Sequence, residues 1–166
     1  MAPHLIFFIP SRFDVESALL DLAHRLTLPA DVDPMDRDSV FQFVSQRGEG
    51  SEYLLLEYSE NAREMIQELS EWEKPSKAYK DMLLACRSKI GIHYRDTKNG
   101  KKAILEIAAI LGEDAMRCIV DNDYGCLLKL STMVECLNQN SNWSWERDEF
   151  PELPDVAVSE WQKYGK

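Results

Sequence analysis

Two short groups of residues in this 166-residue chain have side chains whose types and spacing could do chemistry. His93 is followed three positions later by Asp96, and a carboxylate beside an imidazole can orient the ring as a general base. The run DNDYG at residues 121–125 offers carboxylate and amide oxygens, which hard cations prefer as ligands. The same run is typical of a hairpin turn, because Asn and Asp tolerate left-handed backbone and Gly adopts it without strain. We favour ordinary turn residues in both places and predict no catalytic residue, no metal and no cofactor.

A third group lies near the C-terminus, in a segment of residues 142–160 that we call the C-terminal segment. Its residues 142–154 combine two Trp, one Phe, two Pro and four acidic residues in 13 positions, without periodicity. Such aromatic rings could fill apolar pockets of a partner while the carboxylates pair with basic groups around them. Alternatively, the rings pack back over the helices as a lid on the core. Under the first interpretation, the partner-binding residues are Trp143, Trp145, Glu146, Asp148, Glu149, Phe150, Asp121 and Asp123.

The charge balance limits which partners the chain could bind. It holds 19 Lys and Arg residues against 29 Asp and Glu residues, a net charge of −10. Binding to nucleic acid needs a basic surface that releases counterions from phosphates, so this balance argues against a nucleic-acid partner. The composition therefore favours a basic protein as the partner.

Cysteine placement and the apolar runs indicate a cytoplasmic protein without a membrane anchor. The four cysteines form no C-x-x-C pair and lie in apolar or amphipathic runs, which is typical of buried reduced thiols. The N-terminal apolar run is short, lacks a basic flank and ends at Pro10, so it predicts a strand and not a signal peptide. No run approaches the roughly 18 apolar residues of a membrane span.

The order of predicted elements indicates an α+β fold in a single domain of residues 1–166. Strands are expected at residues 5–9, 40–44, 53–58, 90–94, 116–120 and 126–130, and helices at 14–28, 59–73, 76–87, 98–111 and around 133–137. Residues 4–73 and 89–139 then form two β-α-β-β-α runs. These could be an internal duplication or two unrelated runs that share a common supersecondary order. The helices should cover one face of a largely antiparallel sheet, with the other face partly open to solvent or covered by loops.

Three stretches of the chain resemble a known group of proteins. Residues 92–96 (IHYRD), 121–125 (DNDYG) and 142–151 (NWSWERDEFP) resemble small acidic immunity proteins encoded beside bacterial polymorphic toxins, including those of type VI secretion and Rhs systems. The resemblance implies a cytoplasmic protein that binds and blocks one toxin domain and has no catalytic role of its own. It does not identify the toxin or the oligomeric state.

Two other classes of function remain open at the level of the sequence. The β-α-β-β-α halves are similar to ferredoxin-like sensor domains, so a ligand-binding regulatory module is the main alternative to a toxin inhibitor. An enzyme that uses His93 is the third. A pocket that binds a metabolite would support the second class, and loss of turnover in His93→Ala would support the third.

Overall fold

A single sheet with helices on both faces organises the chain. The computed structural model describes residues 3–11, 17–28, 33–34, 40–44, 53–72, 77–153 and 156–158. Within these residues the strands are β1 (His4–Ile9), β2 (Asp33–Pro34), β3 (Val40–Val44), β4 (Leu54–Ser59), β5 (Ser88–Tyr94), β6 (Ile119–Asp121), β7 (Cys126–Lys129) and β8 (Ala157–Val158). The helices are α1 (Ala18–Arg25), α2 (Arg63–Trp72), α3 (Lys77–Leu84), α4 (Thr97–Leu111) and α5 (Leu130–Gln139), with a 3₁₀ helix at Gly112–Arg117. The predicted α+β class is confirmed.

The strands lie in the order β2-β3-β4-β5-β1-β6-β7-β8, and every neighbouring pair in the described residues is antiparallel. The predicted hairpin of β3 and β4 is confirmed, with Phe43 opposite Leu56. The N-terminal apolar run forms β1, which lies between β5 and β6. Its side chains belong to the cores on both faces of the sheet. The predicted start of α1 at residue 14 lies outside the described residues.

The two β-α-β-β-α runs repeat in order but not in position. In the first run the second hairpin strand, β4, borders β5, whereas in the second run the first hairpin strand, β6, borders β1. The second run therefore contains β5 and β6 as parallel strands separated by β1, which is the split β-α-β arrangement. The hairpins of the two halves thus attach to the sheet in different ways.

Helices pack against both faces of the sheet, so the prediction that helices lie on one face alone was wrong. The first face packs against α1, α4 and α5, with Phe7, Val120 and Leu128 contributed by the strands. The second face packs against α2 and α3 through Phe8, Ile119 and Leu127. Consecutive apolar residues on β1, β6 and β7 point to opposite faces, and both sets must be removed from water.

The strand predicted at residues 116–120 starts later than expected. Helix α4 ends at Gly112, whose φ of 57° lies in the left-handed region, and the chain continues as a 3₁₀ helix to Arg117. Met116 is 70% exposed, so it does not contribute to the sheet. The strand is Ile119–Asp121, which brings the start of the DNDYG turn into the sheet.

The four cysteines are free thiols, as predicted. Cys86, Cys118 and Cys126 are buried, and Cys136 is partly buried. Burial raises the pKa of the Cys86 thiol to about 12, so this group stays protonated at neutral pH. Among the described residues, no helix has the length and apolar character needed to cross a bilayer.

We expect Leu56→Ala to lower the free energy of unfolding by about 2–5 kcal/mol, because the leucine is fully buried on a strand between two hydrogen-bonded neighbours. Urea unfolding of the variant and its parent measures the difference. Leu84→Ala is the matched control, since Leu84 is 51% exposed and its loss should cost no more than about 0.5 kcal/mol. Equal stability of Leu56→Ala and its parent would contradict the packing of β4 against the first face.

Candidate functional site

The aromatic residues of the C-terminal segment lie mostly in the core of the first face. Trp145 is 3% exposed, and its indole N–H donates a hydrogen bond to the Tyr94 hydroxyl at 2.7 Å. Phe150 is 6% exposed and belongs to the same core, while Trp143 is partly buried with its ring centroid 5.9 Å from that of Phe150. Of the two interpretations of these aromatic residues, the lid on the core describes Trp145 and Phe150. Their rings are not exposed anchors for a partner.

A glycine on α4 makes room for the Trp145 ring. A Cβ atom at Gly100 would lie 2.8 Å from Trp145 Cζ2 and 3.2 Å from two carbons of the Tyr94 ring. These distances are too short for ordinary packing, so α4 can approach the two aromatic rings only with glycine at this position. Asp96, just before the helix, caps it by accepting a hydrogen bond from the Lys98 amide at 2.9 Å.

The turn at residues 121–125 fastens the C-terminal segment to the sheet. The fully buried Asn122 side chain donates to the backbone carbonyls of Trp145 at 2.8 Å and Arg147 at 2.9 Å. Its Oδ1 accepts from the amides of Tyr124 and Cys126, each at 3.0 Å. Asp123 and Gly125 have φ values of 65° and 86°, which are the left-handed conformations that the predicted turn requires. Within the described residues, no group of three or more His, Cys, Asp or Glu side chains is arranged to hold a metal ion.

The carboxylates of the C-terminal segment differ in their contacts and in their exposure. Glu152 pairs with Arg147, whose hydrogen bond lowers the pKa of that carboxyl to about 2, and the same guanidinium lies over the Phe150 ring at 4.5 Å. Glu146 accepts a hydrogen bond from the Tyr124 hydroxyl at 3.1 Å. Asp148 and Glu149 are exposed. Glu146 is thus held beside the same turn that carries Asp121 and Asp123.

His93 has a different carboxylate partner from Asp96, the one that the sequence spacing offered. Asp96 is the cap of α4, whereas Glu57 Oε2 lies 3.4 Å from His93 Nε2. The His93 ring stacks on His4, with centroids 4.9 Å apart and planes at 16°, and His4 Nδ1 lies 3.2 Å from Asp123 Oδ2. Two imidazoles flanked by two carboxylates therefore form a row across β4, β5, β1 and the turn that follows β6.

This row borders a cleft between α2 and the uncovered part of the second face. The cleft has a volume of about 520 Å³ and adjoins a hollow of about 450 Å³ that contains Asp121 and Asp123. We call the two together the acidic cleft. Among the residues that the structure describes, the charged ones that line it, other than histidine, are Glu57, Glu64, Glu68, Lys89, Asp121 and Asp123. They comprise five carboxylates and one ammonium, a net charge of −4 with both imidazoles neutral.

Burial and hydrogen bonding distinguish the two aspartates of the acidic cleft. Burial raises the pKa of the Asp121 carboxyl, and a hydrogen bond from the Asp123 amide at 2.9 Å opposes the rise. Asp123 is exposed at the edge of the hollow and faces His4. The acidic cleft can attract a cation, and the turn that carries Asp123 also carries Tyr124, whose hydroxyl donates to Glu146.

The residues predicted to bind a partner are therefore only partly brought together. Asp121 and Asp123 lie in the acidic cleft and Glu146 beside it, whereas Trp145 and Phe150 lie in the core of the opposite face. The contributions of His4, Glu57 and the acidic side of α2 were not predicted from the sequence. Comparison with known protein families, curated proteins and solved structures finds no match for the chain.

Proposed function

We propose that this chain is an immunity protein, which binds a basic toxin domain in the cytoplasm and blocks its active site or substrate-binding face. The observation that carries the proposal is the concentration of negative charge in the acidic cleft, whose described residues carry a net charge of −4. A toxin domain with a basic working surface is the complementary partner. The four free thiols, three of them buried, are compatible with a reducing compartment.

Such protection depends on fast association with the toxin domain, followed by occlusion of its active site or substrate-binding face. Like charges concentrated on one surface attract a basic partner over several ångströms and raise the association rate. A sheet with helices packed on both faces is a stiff support, so little conformational entropy is lost when the acidic surface docks. In this proposal the chain acts stoichiometrically and performs no catalysis.

The acidic cleft also favours a second candidate, a ligand-binding regulatory module. Its main volume of about 520 Å³ is within the range of small-molecule sites. Such a module would bind a small cationic metabolite tightly without any protein partner. Thermal unfolding in the presence of polyamines and basic amino acids separates the candidates, because a module for a small ligand would be stabilised by one of them at micromolar concentration.

Co-expression with the adjacent gene product tests the immunity proposal. The C-terminal domain encoded directly upstream should stop growth of a bacterial host when expressed alone, and this chain should restore growth and co-purify with it as a complex. Glu64→Lys/Glu68→Lys should lose protection, since both residues are exposed and line the acidic cleft. Glu113→Lys/Glu135→Lys is the matched control, because it makes the same charge change at exposed positions on elements of the first face and should still protect.

The proposal is wrong if the adjacent product is harmless, or if growth stays arrested while folded chain is abundant in the soluble fraction. Circular dichroism of each purified variant verifies that lost protection is not lost folding.

A further inference from the structure

Helices α2 and α3 leave part of the second face uncovered, and this open part is the floor of the acidic cleft. The buried contacts of these helices reach β1, β6 and β7 through Phe8, Ile119 and Leu127, and the side chains of β4 and β5 lie beyond them. Gly91 lines the cleft on β5, where the lack of a side chain deepens it. A Cβ atom there would meet Glu57 at an ordinary 3.5 Å, so the space is not required by packing.

The charges around this floor come from separate elements and are mostly of one sign. Glu57 projects from β4, and Glu64 and Glu68 come from the exposed side of α2. Within the part of the chain that the structure describes, neither Glu64 nor Glu68 makes an ion pair. Among the described lining residues the ammonium group belongs to Lys89, whose Nζ lies 3.7 Å from the Met65 thioether sulfur.

We infer that the acidic cleft receives an arginine side chain from the toxin domain, an inference that rests on the proposed function. A guanidinium has five N–H donors in a planar fork and can bond to carboxylates on the sheet and on α2 at the same time. An ammonium is a compact point charge and satisfies such a two-sided arrangement less completely.

Titration of the ¹⁵N-labelled full chain with a hexa-arginine peptide tests the inference without the toxin. We expect the largest amide shifts at His4, Gly91 and His93, and binding about threefold or more tighter than that of a hexalysine peptide. Shifts spread over the whole surface, no binding, or equal affinity for the two peptides would overturn the inference.

Paired charge-neutralising variants show whether the site or the overall charge matters. Glu64→Gln/Glu68→Gln removes two carboxylates from exposed positions of α2 and should weaken binding of hexa-arginine about fivefold relative to the parent. Glu113→Gln/Glu135→Gln makes the same change in net charge on elements of the first face and should retain the parent's affinity. Equal loss in both variants would assign binding to general charge and overturn the inference.

Gly91→Val tests the same cleft by filling it, without any change of charge. The added methyl groups would occupy the floor, so hexa-arginine binding should fall while urea unfolding stays close to that of the parent. A parent chain that protects cells but shows no peptide binding in the cleft would refute the arginine site and leave the immunity proposal intact. A parent chain that fails to protect would refute the immunity proposal.

Discussion

Trp145→Ala is expected to lower the free energy of unfolding by about 3–5 kcal/mol. The indole is 3% exposed and fills the space that Gly100 leaves between α4 and the C-terminal segment. Its removal would leave a cavity and would also deprive the buried Tyr94 hydroxyl of its hydrogen-bond donor at 2.7 Å. Urea unfolding followed by far-UV circular dichroism measures the change.

Trp143→Ala is the matched control for Trp145→Ala. The Trp143 ring is partly buried, and its indole N–H donates to Glu152 at an exposed position. We expect a cost well below that of Trp145→Ala. If the two variants are equally stable, Trp145 does not close the core. The interpretation of the aromatic rings as anchors for a partner would then be supported again.

Asn122→Asp is expected to destabilise the chain by more than about 3 kcal/mol. The substitution retains the oxygen that accepts from the Tyr124 and Cys126 amides but removes both donors to the carbonyls of Trp145 and Arg147. It also brings a negative charge into a fully buried position beside those two carbonyl oxygens. Thermal and urea unfolding at neutral pH measure the loss.

An exposed asparagine with a similar local bond provides the control. Asn140 accepts a hydrogen bond from the Asn142 amide at 3.0 Å, and an aspartate can accept the same bond. Asn140→Asp should therefore change stability by no more than about 0.5 kcal/mol. A comparable effect of the two substitutions would show that Asn122 does not hold the C-terminal segment on the sheet.

Most helices and strands were predicted correctly, because residues close together in the sequence determine them. The hairpin of β3 and β4 and helix α4 with its Gly112 end follow from alternation, helical spacing and turn residues. The helices on the second face were not predicted. Phe7 and Phe8 point to opposite sides of β1, but a short apolar run does not show whether helices or loops bury each side.

The position of the C-terminal segment was not predictable from its own composition. Trp145 is held by Tyr94 and Asn122, which lie 51 and 23 positions away along the chain. Aromatic rings beside carboxylates fit a partner-binding segment and a lid equally well until those distant partners are known. The carboxylates of Glu146, Asp148 and Glu149 were predicted as partner-binding, and their role stays a prediction.

The acidic cleft depends on strand register, which the sequence does not display. His4 lies opposite His93 because β1 pairs with β5, and Glu57 joins them because β4 pairs with the other edge of β5. The acidic side of α2 faces water. Sequence periodicity could not show that this side borders a cleft.

The most direct test of the proposed neutralising role is the association rate constant with the toxin domain, measured by stopped-flow fluorescence at about 50 mM and about 500 mM NaCl. Attraction between the acidic cleft and a basic partner predicts a rate constant at least about tenfold lower at the higher salt concentration. In Glu64→Gln/Glu68→Gln the salt dependence should be weaker, whereas Glu113→Gln/Glu135→Gln should behave like the parent. A rate constant that is the same at both salt concentrations would contradict recognition through the acidic cleft.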